Sequence, residues 1–281
     1  MPPPSSGGLA IGQMLRIYER TDRSDHALVE SMKHAFADRA RYAADPASAE
    51  VPVARLLSED HIAARAKTVG PTTRPIDTYG DVAPQSDDAG TSHLCVIDAD
   101  GTAVACTETI NLIFGSQLAV AKYGFVLNNE MDDFTTRPGE ANAFGLVQSD
   151  ANAPAPGRKP LSSMSPTIMI GADGRVEAIA GAAGGPRIIT ATAQLLLGVI
   201  EGKTAAEAMD APRLHHQWMP DVTRVEQGMP ADVIERLERA GQTVRASDGA
   251  IGNANLIRRS LSGSGWDASA DPRKGGRVAG E

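Results

Sequence analysis

A chain of 281 residues with a formal net charge of -8 and a pI near 5.3 is too acidic to compete for a phosphate backbone, which argues against a nucleic-acid binder. Hydrophobic residues make up 42%, an ordinary share for a globular core, while aromatics are only 4%, so the core is aliphatic; no apolar run approaches the roughly 18 residues of a membrane span. Two cysteines, Cys95 and Cys106, supply neither a disulfide framework nor a four-ligand zinc site.

The opening MPPPSSGGLA lacks the basic and long apolar regions of a signal peptide. Residues 8–41 then carry a helical pattern. Ile11, Leu15 and Ile17 fall near one face, and HALVESMKHAFADRARYAAD repeats apolar residues three and four apart until Asp45-Pro46 ends the run. Residues 52–68 offer another short helix, and residues 69–90, rich in Pro, Thr, Gly and Asp, read as a loop. The character then changes. Val96-Ile97, Val104-Ala105, Val126-Leu127, Ile168-Met169-Ile170 and residues 176–179 read as strands between Gly/Asp turns. A helix is expected over residues 186–201, with shorter ones over 205–208 and 231–240. The Gly/Ser-rich tail from Ser260 is expected to be irregular. There is no internal repeat, and the order of elements indicates an α/β or α+β fold.

The stretch TSHLCVIDADGTAVACTET predicts two strands around Ala99-Asp100-Gly101, with Gly101 in the left-handed position of a three-residue hairpin loop. That register pairs Thr91 with Thr109, whereas a two-residue loop would pair Thr91 with Ile110. Threonines favour strands without any chemistry, so an ordinary hairpin would look the same. A threonine heading a strand nevertheless has a chemical use. Its hydroxyl is a poor nucleophile and needs a base. Cutting the Gly90–Thr91 bond would give Thr91 an α-amine, whose ordinary pKa of about 7.7–8.0 leaves a neutral fraction at pH 7 able to take the hydroxyl proton. The β-methyl restricts χ1 and holds the oxygen in place. Gly90 has no side chain to block attack on its carbonyl, so Thr91 could cut its own chain through an ester. In the three-residue-loop register Cys95 and Cys106 lie on opposite faces, which predicts two free thiols.

The segments TSHLCVIDADGTAVACTETIN, LNNEMDDF, DANAPAPGRKPLSSMSPTIM, GAAGGPRI and APRLHHQW, in this order and spacing, resemble the γ-glutamyltransferase (γ-glutamyltranspeptidase) family of N-terminal-nucleophile hydrolases. MPPPSSGG and ADRARYAADP resemble the end of that family's large chain. The resemblance covers nearly the whole chain. It implies an α+β fold, the four-layer αββα sandwich, with its N-terminal part missing. It implies a zymogen that cleaves itself at Gly90–Thr91, so that residues 1–90 end the large chain and residues 91–281 form the small, catalytic one. The two would stay together as a heterodimer, with the missing N-terminal half of the large chain as a further partner. Met1 would then be an internal methionine of the parent, and the chain as it stands would not be a competent enzyme.

Carried over residue by residue, the resemblance makes Thr91 the nucleophile and Thr109 its hydroxyl partner. Asn111, Glu130 and Asp133 fall where the family holds the α-amino group of a γ-glutamyl substrate such as glutathione, and a cationic amine does want such acceptors. Without the resemblance, NNEMDDF would read as a solvated turn. Ser162 and Ser163 fall where the family holds the α-carboxylate. Gly184 and Gly185 fall on its oxyanion hole, where backbone N–H groups at a helix start suit a developing anion. Phe144 sits in the lid loop, where a tyrosine often stands, so the ring is kept and a hydroxyl bond is lost. No cofactor and no catalytic metal are implied. The adjacent His215-His216 do not share a helix face and are expected to pack structurally. Full-length bacterial members are usually periplasmic or secreted; the chain itself indicates no compartment. Two other readings stand beside this one: a sibling acylase for β-lactam side chains or poly-γ-glutamate, and an inactive fragment that acts only by interaction.

Overall fold

The computed structural model describes residues 1–80, 90–135, 143, 146 and 149–280. Two serines divide what the apolar periodicity runs together. The Ser24 hydroxyl accepts the Ala27 N–H, after a turn in which Arg23 takes φ 56°. It therefore caps a new helix, and residues 8–41 become α1 (Gly7–Glu19) and α2 (Asp25–Tyr42). Ser58 likewise accepts from the His61 N–H, and residues 52–68 split into α3 (Val53–Leu56) and α4 (Glu59–Ala66).

The expected hairpin follows as β1 (Thr91–Ile97) and β2 (Ala103–Thr109), closed by Ala99-Asp100-Gly101 with Gly101 at φ 85°. Its register pairs Thr91 with Thr109 and Leu94 with Cys106, and both cysteines are free. A small ribbon of β3 (Ala119–Val120) and β4 (Phe125–Val126) comes next. The main sheet is antiparallel, in the order β11-β10-β6-β5, from β5 (Thr167–Ile170), β6 (Val176–Ala183), β10 (Asn253–Arg259) and β11 (Trp266–Ala270). The last strand corrects the expectation of an irregular tail. Between these strands lie α5 (Arg187–Ile200), α6 (Ala205–Asp210), the strands β7 (Leu214–His215) and β8 (Thr223–Val225), α7 (Ala231–Arg239) and β9 (Val244–Ala246). Strand β8 pairs antiparallel with β7 and parallel with β9.

The sheet has two differently used faces. Ala178, Ala180 and Ala182 of β6 join Ala254 and Leu256 of β10 in the aliphatic core beneath α5, α1 and α2. The opposite face carries the β1–β2 hairpin. There Gly181 makes room for a ring: a Cβ on it would lie 2.2 Å from His93 Cε1. His93 is bonded to Thr107 Oγ1 at 2.7 Å, and its carbonyl accepts from Asn255 Nδ2 at 2.6 Å. Helices, sheet and hairpin give an α+β arrangement with three of the four expected layers among the described residues. The hairpin's outer face is open, with Leu94, Val96 and Val104 about half exposed. No helix among the described residues is long and apolar enough to cross a membrane.

The first residues are strapped into the fold. Ser6 N–H donates to the Ser162 carbonyl, Ser162 N–H donates to the Pro4 carbonyl, and Ser5 Oγ donates to the Met164 carbonyl at 2.6 Å. The stretch before the undescribed residues 81–89 is anchored just as firmly. Buried Lys33 donates to Thr73 Oγ1 at 2.7 Å, Thr73 Oγ1 donates to Glu30 at 2.9 Å, and Tyr79 OH donates to the other Glu30 oxygen. Thr73 N–H donates to the Ala240 carbonyl, and Gly80 packs against the Trp218 ring.

Candidate active site

The pairing of β1 with β2 puts the two predicted hydroxyls side by side: Thr91 Oγ1 and Thr109 Oγ1 are 3.0 Å apart. Thr109 Oγ1 accepts the Asn111 N–H at 2.8 Å, so its own proton points to one of two acceptors: Thr91, or the Gly90 carbonyl at 3.3 Å. The Ile110 N–H also donates to the Gly90 carbonyl, at 3.4 Å. The carbonyl ahead of Thr91 thus accepts from the Ile110 N–H, a residue the sequence did not single out, and has the Thr109 hydroxyl in reach as a second donor. Gly90 is required by the packing, since a Cβ there would come 2.2 Å from the Leu112 carbonyl oxygen.

Around this pair lies a cavity of about 20 Å³, lined by Thr91, Thr109, Asn111, Asp133, Ser162, Ser163 and Gly185, with Met164 and Ile188. It holds about one water. Larger open clefts of about 350 and 550 Å³ share none of these residues. Gly184 adjoins the cavity. The two glycines take φ 125° and 53° between β6 and α5, and neither N–H is spent on a protein acceptor among the described residues. Phe144, the expected lid residue, lies outside the described residues.

The site divides into donors and acceptors. Ser162 Oγ accepts the Met164 N–H at 3.0 Å, and Ser163 Oγ accepts from Arg39 at 3.3 Å. Each serine oxygen is therefore occupied as an acceptor, which leaves its proton to be donated outward. On the other side, Asn111 is held at φ 71° with its Nδ2 donating to the Asn129 carbonyl, which leaves buried Oδ1 without a partner among the described residues. Glu130 Oε1 is also buried without a partner among the described residues, and burial raises its carboxyl pKa. Asp133 sits in the same short helical turn, Glu130–Asp133. Burial and then the Glu130 charge push its carboxyl up to about 7, against the opposing pull of Arg39.

The two histidines that adjoin each other in sequence have separate partners. His215 bonds Thr190 and Gln217, while His216 bonds Asp221 and accepts the Trp218 N–H. Arg39 is the site neighbour that sequence reasoning missed. Its trace was a charge on a buried stripe, since Met32, Phe36 and Arg39 follow one another at helical spacing on α2.

The α+β scaffold has known counterparts among solved structures. A cephalosporin acylase from Bacillus halodurans superposes with a TM-score of 0.80 at 25% identity, covering 99% of this chain and 50% of that one. A mutant γ-glutamyltranspeptidase from Helicobacter pylori superposes at TM-score 0.62 and 44% identity, covering 66% of this chain and all of that one. In sequence, residues 1–281 match the family model for gamma-glutamyltranspeptidase. The chain is 41% identical over 290 residues to the glutathione hydrolase proenzyme of Escherichia coli K12, and 40% identical over 287 residues to that of Pseudomonas aeruginosa. It belongs to the γ-glutamyltranspeptidase family. The match covers 97% of this chain in both cases but only 49% and 51% of the relatives, so the chain spans about half their length.

Proposed function

We propose that this protein cleaves itself between Gly90 and Thr91 and then transfers γ-glutamyl groups from glutathione or related compounds to water or an acceptor amine. The observation that carries the reading is the hydroxyl pair 3.0 Å apart beneath a Gly90 carbonyl within reach of two donors. In maturation the Thr91 oxygen attacks that carbonyl, with Thr109 Oγ1 and the Ile110 N–H facing the oxygen where charge develops. The C–N bond breaks as the ester forms, and the freed nitrogen takes up the proton that the Thr91 hydroxyl has lost, becoming the Thr91 α-amine. Water then hydrolyses the ester, so that residue 90 leaves as a carboxylate.

In turnover the α-amine receives the Thr91 hydroxyl proton while the oxygen attacks the γ-carbonyl. The N–H groups of Gly184 and Gly185 stabilise the tetrahedral oxyanion. The leaving amine takes the proton, and water or an acceptor amine releases the glutamyl group from the ester. Ser162 and Ser163, both left as donors, suit the α-carboxylate. Asn111 Oδ1, Glu130 and Asp133 suit the α-ammonium. These paired head-group sites favour a γ-glutamyl substrate over the acyl side chain of a β-lactam. The working unit includes a segment equivalent to the other half of the relatives, for which the open hairpin face offers apolar surface. Residues 91–281 would be the small chain and residues 1–90 the end of the large one.

The test is to express the chain with that N-terminal half, determine the small chain's N-terminus, and assay a γ-glutamyl anilide. The expected start is Thr-Ser-His-Leu, with anilide release. An uncut chain with full activity would refute the mechanism.

A further inference from the structure

Arg39 is 2% exposed, and its bonds run in two directions. Nε donates to Ser6 Oγ at 2.9 Å, and Ser6 Oγ donates in turn to the Ser162 carbonyl at 2.8 Å. Nη2 donates to Ser163 Oγ at 3.3 Å. Nη1 is buried with no partner among the described residues. A guanidinium held in the interior without its full set of bonds is costly, and a group that only filled space would be better replaced by an apolar one. Its position matters more than its volume. It stands behind both serines at once, touching Ser163 directly and Ser162 through Ser6.

We propose that Arg39 is a positioning residue for the substrate's amino-acid head group: its N–H fixes Ser163 as a donor toward the carboxylate, and its charge faces Asp133. The first half is hydrogen-bond logic. A hydroxyl that accepts from a cation turns its own proton away from that cation, and Ser163 lines the cavity into which that proton points. The second half is charge. Asp133 is faced by Glu130 and Asp132 from its own turn, which favour its protonation, and by Arg39 from α2, which favours the anion. Burial lowers Arg39 only to about 10, so it stays cationic across the working range. One side chain thus supports recognition of both ends of an amino acid, from a part of the sequence that lies ahead of the proposed cleavage.

The proposal rests on the γ-glutamyl reading, and its test separates the two. Arg39→Met and Arg39→Lys are compared with wild type, in the protein supplied with its N-terminal half, by KM and kcat for a γ-glutamyl anilide across pH 5–9. Arg39→Met is expected to raise KM by about ten-fold or more with a smaller change in kcat, as for lost ground-state binding, and to move the acid limb of kcat/KM to higher pH. Arg39→Lys should restore the acid limb, because the charge returns, but not KM, because the planar fork does not. Wild-type KM and an unmoved limb in Arg39→Met would overturn the inference. Should that variant fail to fold, Arg39→Lys is decisive alone, and a wild-type KM in it overturns the proposal. A wild-type protein that releases no anilide defeats the γ-glutamyl reading instead. In that case the side-chain carboxyl resonance of Asp133 still tests Arg39: its titration should move up in Arg39→Met, and an unchanged midpoint refutes the charge coupling.

Discussion

Thr91 and Thr109 carry the sharpest expectations at the scale of single residues. Thr91→Ala should abolish both cleavage and turnover, seen as one uncut chain by intact mass. Thr91→Ser should keep part of each, since the hydroxyl survives and only the methyl that restricts it is lost. Thr109→Ala removes a donor from the Gly90 carbonyl and should slow cleavage by about 10²-fold or more while leaving Tm close to wild type. A normal cleavage rate in that variant would show that the 3.3 Å contact is incidental. Asp133→Ala takes away one of the two carboxylates assigned to the substrate ammonium, leaving Glu130, and should cost roughly 2–5 kcal/mol in kcat/KM. The loss should shrink for an analogue without the α-amine; an equal loss for both would make Asp133 structural. The sign of the pH effect follows from its raised pKa. Below about 7 the carboxyl is protonated and attraction for the ammonium fades, so kcat/KM should fall on the acid side with a midpoint near 7.

Among the elements, the hairpin was legible and the sheet that supports it less so. Asp-Gly at the turn and alternation on both sides give the register of β1 and β2, and through it the threonine pair. Strand β11, WDASA, has neither β-branched residues nor a clean alternation, and its extended form comes from pairing with β10. Strand β10 opens on Asn253, a residue that avoids strands, and is set by β6. Apolar periodicity gave the helices but not their breaks at Ser24 and Ser58, which depend on single capping bonds. Gly181 links hairpin to sheet and can be tested directly. Gly181→Ala drives a methyl into the His93 ring, so overpacking should cost about 1–3 kcal/mol and slow cleavage by shifting the hairpin. Urea denaturation and a gel time course measure the two; wild-type values in both would show that the ring relocates freely.

For the molecule as a whole, five buried histidines set the response to acid, among them His26, lowered first by burial. His34, His93 and His216 are held down to about 4 and His215 to about 3, in each case first by burial. Their folded pKa values lie below the ordinary 6.5 of the unfolded chain. The neutral rings therefore add stability that is fully present above pH 6.5 and lost as pH falls toward 4. Asp133 and Glu130, both raised in the fold, act in the opposite sense but are fewer. Tm should drop between pH 6.5 and 4, and a flat profile would contradict the burial of these rings. At the same scale, residues 1–281 alone should aggregate or stay inactive, with the N-terminal half restoring solubility and anilide release. Full activity of the isolated chain would show that the open hairpin face needs no cover.

The anchoring of residues 73–80 on Glu30, Lys33, Ala240 and Trp218 gives the proposed scission a one-way character. Before the cut, folding is unimolecular, and every return from the denatured state is independent of dilution. After it, the contacts with Ala240 and Trp218 join two separate molecules, while those with Glu30 and Lys33 stay within the first, and nothing but mass action brings the two back. A sample denatured before maturation should regain its structure at any concentration, whereas one denatured afterwards should recover with a yield that falls on dilution. The protein would thus be assembled once with the help of its own covalent continuity, and would keep through buried contacts a shape it can no longer easily find again.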